Sequence, residues 1–227
     1  MKKFLLAFIG IAILVGAFLF MRQTAPAVNP DPNHTHADFA VWVNGTKLDF
    51  SDEEYMSAPP PSAASLIVPS AHAHGDEEEG PTLPGREFLH LHGDIGHVIH
   101  RHKPGLTLGD FFTSIGFIMT RTCFTLDQHQ FEALGAAWVE SSGKRELCNT
   151  EQFHWTFVVN SQERPMDPAY VMQDLDKILL SYGPGEQWRN EWKQMTDDAC
   201  LYSKTCPWKG EPPAEGCVAD PTVPCKE

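Results

Sequence analysis

Five of the chain's eleven histidines lie between Arg86 and Lys103, in REFLHLHGDIGHVIHRHK. Imidazole is the side chain most used to ligate zinc, copper and nickel. A His-x-His pair in a strand puts two imidazoles on one face with Cα atoms roughly 6.5 Å apart, a gap that two inward-leaning rings can close on one ion. The pattern occurs at His90 and His92, at His100 and His102, and again at His34 and His36. Its recurrence points to a multi-histidine metal site, the competing reading being a solvated polar face that happens to use histidine.

Those residues need strands to present them. Alternation of side chains sends Phe88, His90 and His92 one way and Leu89 and Leu91 the other, and a Gly-Asp-Ile-Gly turn at 93–96 folds the second arm back. Pairing even with even positions groups Leu89, Leu91 and Ile99 on one face and His90, His92, His100 and His102 on the opposite one, with an expected loop of three or five residues. Upstream, Asn44-Gly45 is a two-residue hairpin signal in HTHADFAVWVNGTKLDFS. It sets Val43 against Thr46, Val41 against Leu48 and Phe39 against Phe50, leaving His34, His36 and Asp38 on the face that rejects the core. If the two hairpins are neighbours, six histidines share one surface.

The remaining elements are read by period. Thr107 with Asp110 forms a capping box for a helix carrying Leu108, Phe111, Phe112 and Ile115 on one face, closed by Gly116. This helix is expected over Leu89, Leu91 and Ile99, leaving the histidine face either wet or covered by another part of the chain. Phe117–Leu126 reads as a strand, and 127–152 is ambiguous. Trp155–Val159 and Lys177–Tyr182 are strands, with Asn160-Ser161 as a turn. Gly185 to about Tyr202 reads as one helix with Trp188, Trp192, Met195 and Cys200 at compatible spacing.

The first stretch concerns address. Lys2 and Lys3 precede an unbroken apolar run, Phe4–Met21, long enough for a membrane anchor at 1–22. Cleavage after Ala25-Pro26-Ala27 as a secretory signal is the rival reading. Either way the bulk of the chain is expected outside the cytoplasm, periplasmic or at the cell surface. Residues 23–33 form a proline-rich tether, and 34–183 the histidine-bearing domain. Within it, 52–85 reads as a disordered insertion whose His72, His74 and acidic run would at most collect ions loosely.

Residues 184–227 are a helix and cysteine-rich tail. The whole chain carries a net charge of −13, and without residues 1–27 the basic side chains number 14 against 30 acidic ones, which argues against nucleic acid and anionic lipid as partners. Six cysteines with no Cys-x-x-Cys pair favour disulfides. A Cys123–Cys148 bridge is expected, and Cys200, Cys206, Cys217 and Cys225 form two more in an order the sequence leaves open. A zinc site on those four cysteines is the weaker alternative.

A hairpin, a short helix, a strand ending in Val159-Asn160, a connection, and Leu175-Asp176-Lys177-Ile178 leading into the last strand resemble the ubiquitin-like β-grasp fold, over about 86–183 with an insertion at 125–153. The resemblance implies an α+β domain. It would have a β-grasp-like mixed sheet, an extra N-terminal hairpin, one packed helix, and a C-terminal helix with a disulfide-stapled tail. It implies no conjugation or sulfur transfer, since the chain continues past Gly183 rather than ending in a diglycine. The exported region is also similar to singly anchored, histidine-rich envelope proteins of prokaryotes, a likeness that carries no activity.

The function these observations favour is an anchored extracytoplasmic metal-binding protein. It would hold zinc or copper on His34, His36, His90, His92, His100 and His102, with Asp38 and Asp94 as carboxylates that orient the rings. The first alternative is a non-catalytic binding or scaffold module with a pH-responsive histidine face. The second is a metal-dependent enzyme, for which the sequence offers no nucleophile motif, no phosphate loop and few candidate bases.

Overall fold

The computed structural model describes residues 28–57, 83–135, 144–212, 220 and 222–223. The expected anchor, most of the 52–85 insertion, His72, His74, Cys217 and Cys225 lie outside the described residues. Among the described residues no helix is long and apolar enough to cross a membrane.

The fold is α+β. In chain order its strands are β1 (Thr35–Val43), β2 (Thr46–Lys47), β3 (Leu89–His90), β4 (Val98–Arg101), β5 (Ile118–Met119), β6 (Cys123–Thr125), β7 (Glu146–Cys148), β8 (His154–Val159), β9 (Gln162–Arg164) and β10 (Asp176–Gly183). Its helices are α1 (Leu108–Ser114), α2 (Gln128–Ala133), α3 (Trp188–Trp192) and α4 (Ala199–Tyr202). Seven strands make one mixed sheet in the order β3-β4-β1-β10-β8-β9, with β2 paired to β1, while β5-β6-β7 form a small second sheet.

The N-terminal hairpin is therefore not an addition at the edge. β1 lies mid-sheet, antiparallel to β4 and parallel to β10. All nine of its residues are buried, as a strand covered on both faces requires. Asn44 and Gly45 both have positive φ and join Val43 to Thr46 as the hairpin signal demands, and Phe39 meets Phe50 with ring centroids 5.1 Å apart. The odd residues of β1, Ala37, Phe39, Val41 and Val43, enter a large apolar core with Leu89, Leu91, Ile99 and the buried face of α1. α1 begins at the expected capping box, the side chains of Thr107 and Asp110 each accepting from the other's backbone N–H.

The central hairpin keeps its even-with-even register, His90 opposite His100, but its connection is longer than three or five residues. Leu91 leaves the ladder and bridges to Met56 instead. Gly96 sits against the Phe50–Ser51 backbone, where a Cβ would come within 2.3 Å of main-chain atoms. The edges of the 52–85 stretch thus belong to the fold: Tyr55 and Met56 are buried, the Tyr55 hydroxyl donates to Asp127 at 2.6 Å, and the Arg86 guanidinium donates to the carbonyls of Glu54, Met56 and Ser114. Composition hid these anchors because Tyr55 and Met56 are a two-residue apolar island in a polar run, and Arg86, just past its end, is itself polar.

Phe117–Leu126 is two short strands, β5 and β6, and Cys123–Cys148 bridges β6 to β7 as expected. The stretch Gly185–Tyr202 is two helices rather than one. α3 lays Trp188 on Ala40, Trp42, Val158 and Leu179, after which the chain breaks helical bonding and α4 lays Ala199 and Tyr202 on Val98. The second sheet face is consequently covered, and Cys200 pairs with Cys206 just past α4.

Candidate metal centre

The second face of three adjacent strands carries all six candidate histidines. His90, His100 and His36 lie side by side across β3, β4 and β1, because β4 pairs His100 with both neighbours. His92 extends from one end of that row, and His34 and His102 lie beyond it on the other side. His36, His90, His100 and His102 are fully buried, while His34 and His92 are partly so.

The rings form a closed circuit. Centroid separations are 4.4 Å for His34–His36, 4.0 Å for His34–His102 and 5.0 Å for His90–His102. They are 5.8 Å for His90–His92, 4.1 Å for His92–His100 and 4.7 Å for His36–His100. His34, His36 and His100 each offer a ligand atom within 4.8 Å of the others. A tetrahedral ion bound at 2.0–2.1 Å needs nitrogens about 3.3 Å apart, so a modest closure of these rings would suffice. A second convergence, Cys123, Glu146 and Cys148, supplies no thiolate because its sulfurs form a disulfide.

Two rings have their tautomers fixed by neighbours. The Nδ1 of His90 lies 2.6 Å from the Arg86 carbonyl oxygen; a carbonyl only accepts, so Nδ1 carries a proton and Nε2 is the nitrogen through which this ring can ligate. The Ser203 hydroxyl donates its one proton to Asp174 at 2.6 Å, and its oxygen is 2.8 Å from His36 Nδ1. That oxygen must accept from Nδ1–H, which again leaves Nε2 as the ligating atom. Carbonyl or carboxylate support of this kind orients metal-bound imidazoles and raises their basicity. Asp174 also accepts from the His36 backbone N–H at 3.0 Å and stands 4.0 Å from the ring itself. Burial, then crowding by His92, His36, His90 and His102, holds His100 well below the usual imidazole range. It is neutral at pH 7, the form that ligates.

The cover comes from a segment about 160 residues downstream of β1. Tyr202 stands over the cluster, its ring 4.8 Å from His100, 5.7 Å from His36 and 6.2 Å from His92. Asp38, expected to orient a ring, instead holds this cover. Its Oδ1 accepts from Thr196 Oγ1 at 2.6 Å and Asp198 N at 2.9 Å, and its Oδ2 from Ala199 N at 3.1 Å, so it caps α4 from another strand. These demands explain the break between α3 and α4. His97 adds a tie to Asp198 at 3.0 Å. Asp94, the other carboxylate expected to orient a ring, is exposed in the 93–96 turn with positive φ, lining a cleft with Lys47, Ser51 and Gly96. His129 pairs with Glu54 at 2.7 Å and His154 sits in β8; neither belongs to the cluster.

Sequence reasoning did not find Tyr202, Ser203 or Asp174. None has a local signal, since each acts across more than a hundred residues. No family model, curated protein or solved structure matches the chain.

Proposed function

We propose that the protein holds a late transition-metal ion, zinc or copper, in a buried all-histidine site, and does so outside the cytoplasm from a membrane anchor. The observation that carries this reading is the convergence of ligand atoms from His34, His36 and His100 within 4.8 Å, from two strands that the sheet places in contact. Three neutral imidazoles suit either ion. Asp174, behind His36, supplies a nearby negative charge against the ion's two positive ones.

Holding, in storage, delivery or sensing, is favoured over turnover: the Tyr202 ring stands over the cluster, and Asp38, the carboxylate nearest in sequence to these histidines on β1, is occupied by the α4 backbone. The anchored address is supported by the apolar run at 4–21 and by two disulfides. For the sheet, the order β4-β1-β10-β8-β9 with parallel β1 and β10 beside α1 supports a β-grasp-like reading in which β1, rather than a strand of the 86–103 hairpin, is the first grasp strand.

Equilibrium dialysis of the chelator-stripped protein against zinc and copper tests the reading. Stoichiometric uptake that His36→Gln abolishes at the His34/His36/His100 site is expected. Uptake equally weak in the wild type and in that variant would refute it.

A further inference from the structure

Building on that reading, we infer that the cluster is a two-ion centre, with a second ion held by His90, His92 and His100, and with His100 shared between the two sites. The first observation is a nitrogen–nitrogen distance. His92 Nε2 and His100 Nδ1 are 3.3 Å apart, the edge length of a tetrahedral site with bonds of 2.0–2.1 Å, about 3.3 Å. In the metal-free protein one proton bridges the gap; an ion would take its place.

The second observation is the spacing of whole rings. Three imidazoles on one tetrahedral ion have centroids about 5 Å apart. The His34/His36/His100 set has separations of 4.4, 4.7 and 6.3 Å. The His90/His92/His100 set has 5.8, 4.1 and 6.1 Å. By ring centroids the two sets deviate from the ideal to a similar degree, with only His100 in common, but among the described residues only the first has all three ligand atoms within 4.8 Å of one another, so the second needs the larger closure on an ion.

The third is the position of His100. It is the middle of the three-strand row, with His90 on one side and His36 on the other. Its two nitrogens flank one ring carbon and point their in-plane lone pairs or protons in diverging directions, and Nδ1 is directed to His92. Nε2 is then the atom that serves the set with His34 and His36. His90 is prepared for ligation in the same manner as His36, its Nδ1–H directed to the Arg86 carbonyl so that Nε2 is the nitrogen through which it can ligate. An imidazole coordinated through both nitrogens has given its N–H proton to the solvent, so loading both ions releases one proton from His100. The ions would stand roughly 6 Å apart across that ring.

The experiment is metal content per folded chain after dialysis of the full-length protein against zinc, together with the electron paramagnetic resonance of the copper-loaded form. Two ions per chain are expected in the wild type, one in His92→Gln and one in His36→Gln, each with both disulfides intact and unchanged far-ultraviolet circular dichroism. Copper at two per chain should give a signal well below its copper content, because the shared ring couples the spins. One zinc per chain in the wild type, still one in His92→Gln, overturns the second site and leaves the first standing. No uptake at all refutes the underlying metal reading. Two ions with a full-intensity, uncoupled copper signal overturns the sharing of His100, and this readout needs no variant to fold.

Discussion

Removing the Asp38 carboxylate should uncover the histidine cluster without dismantling the sheet. Asp38 is 2% exposed and accepts three hydrogen bonds from Thr196, Asp198 and Ala199. Bonds to a charged acceptor contribute about 1.5–3 kcal/mol each, less than additively when they share one group. Asp38→Ala would therefore cost about 4 kcal/mol, concentrated on the 196–203 segment, where water can replace the lost acceptor once the cover lifts. Asp38→Asn separates charge from geometry. Its carbonyl oxygen can keep the Oδ1 bonds, but its amide nitrogen then faces the Ala199 N–H, donor to donor, so an intermediate loss of about 2 kcal/mol is expected. Amide hydrogen exchange read by mass spectrometry is the assay. Protection at 199–203 should fall steeply in the alanine variant and partly in the asparagine variant, while β8 and β10 stay protected, and diethylpyrocarbonate should modify the cluster histidines faster. Unchanged exchange at 199–203 in Asp38→Ala would refute the assignment of Asp38 as the tether of the cover.

In the metal-free protein, burial keeps the His100 pKa below its unfolded value near 6.5, so the unfolded chain binds more protons and stability should be lost as pH falls below about 6.5; urea midpoints flat between about pH 7.5 and 5 would contradict this. Glu191 behaves oppositely: burial raises its pKa, partly offset by the Ser181 hydroxyl, so its cost is present at neutral pH and disappears as pH falls toward the ordinary carboxyl value. Glu191→Gln should accordingly raise the urea midpoint at pH 7 and leave it unchanged near about pH 4. Replacing Cys123 and Cys148 by serine should cost about 3 kcal/mol for a sequence separation of 25, against about 2 kcal/mol for the separation of 6 between Cys200 and Cys206. Calorimetry of the two variants checks the order, and a larger loss at Cys200–Cys206 would contradict the chain-entropy account.

What was legible in the sequence was local. Val43 against Thr46, His90 against His100 and the Thr107–Asp110 box all follow from a period or a turn within a few residues, and all are present. The common face of six histidines was legible because strand parity needs no partner to be known. The place of β1 was not: a hairpin signal fixes its pairing with β2, but the parallel contact with β10 joins residues more than 130 apart. The one-helix reading of 185–202 failed for a related reason. Apolar spacing continued through Met195 and Cys200, yet Asp38, far upstream, draws the backbone N–H groups of Asp198 and Ala199 out of that helix. Whether the histidine face was wet or covered depended on the same contact.

X-ray absorption at the metal edge of the zinc- or copper-loaded protein reads directly whether imidazoles of this sheet face ligate the ion. Three or four nitrogen ligands are expected, at about 2.0–2.1 Å in the zinc form, with the outer scattering of imidazole rings, and that pattern should be lost in His100→Gln. A shell dominated by sulfur, or by oxygen without imidazole scattering, would contradict imidazole ligation.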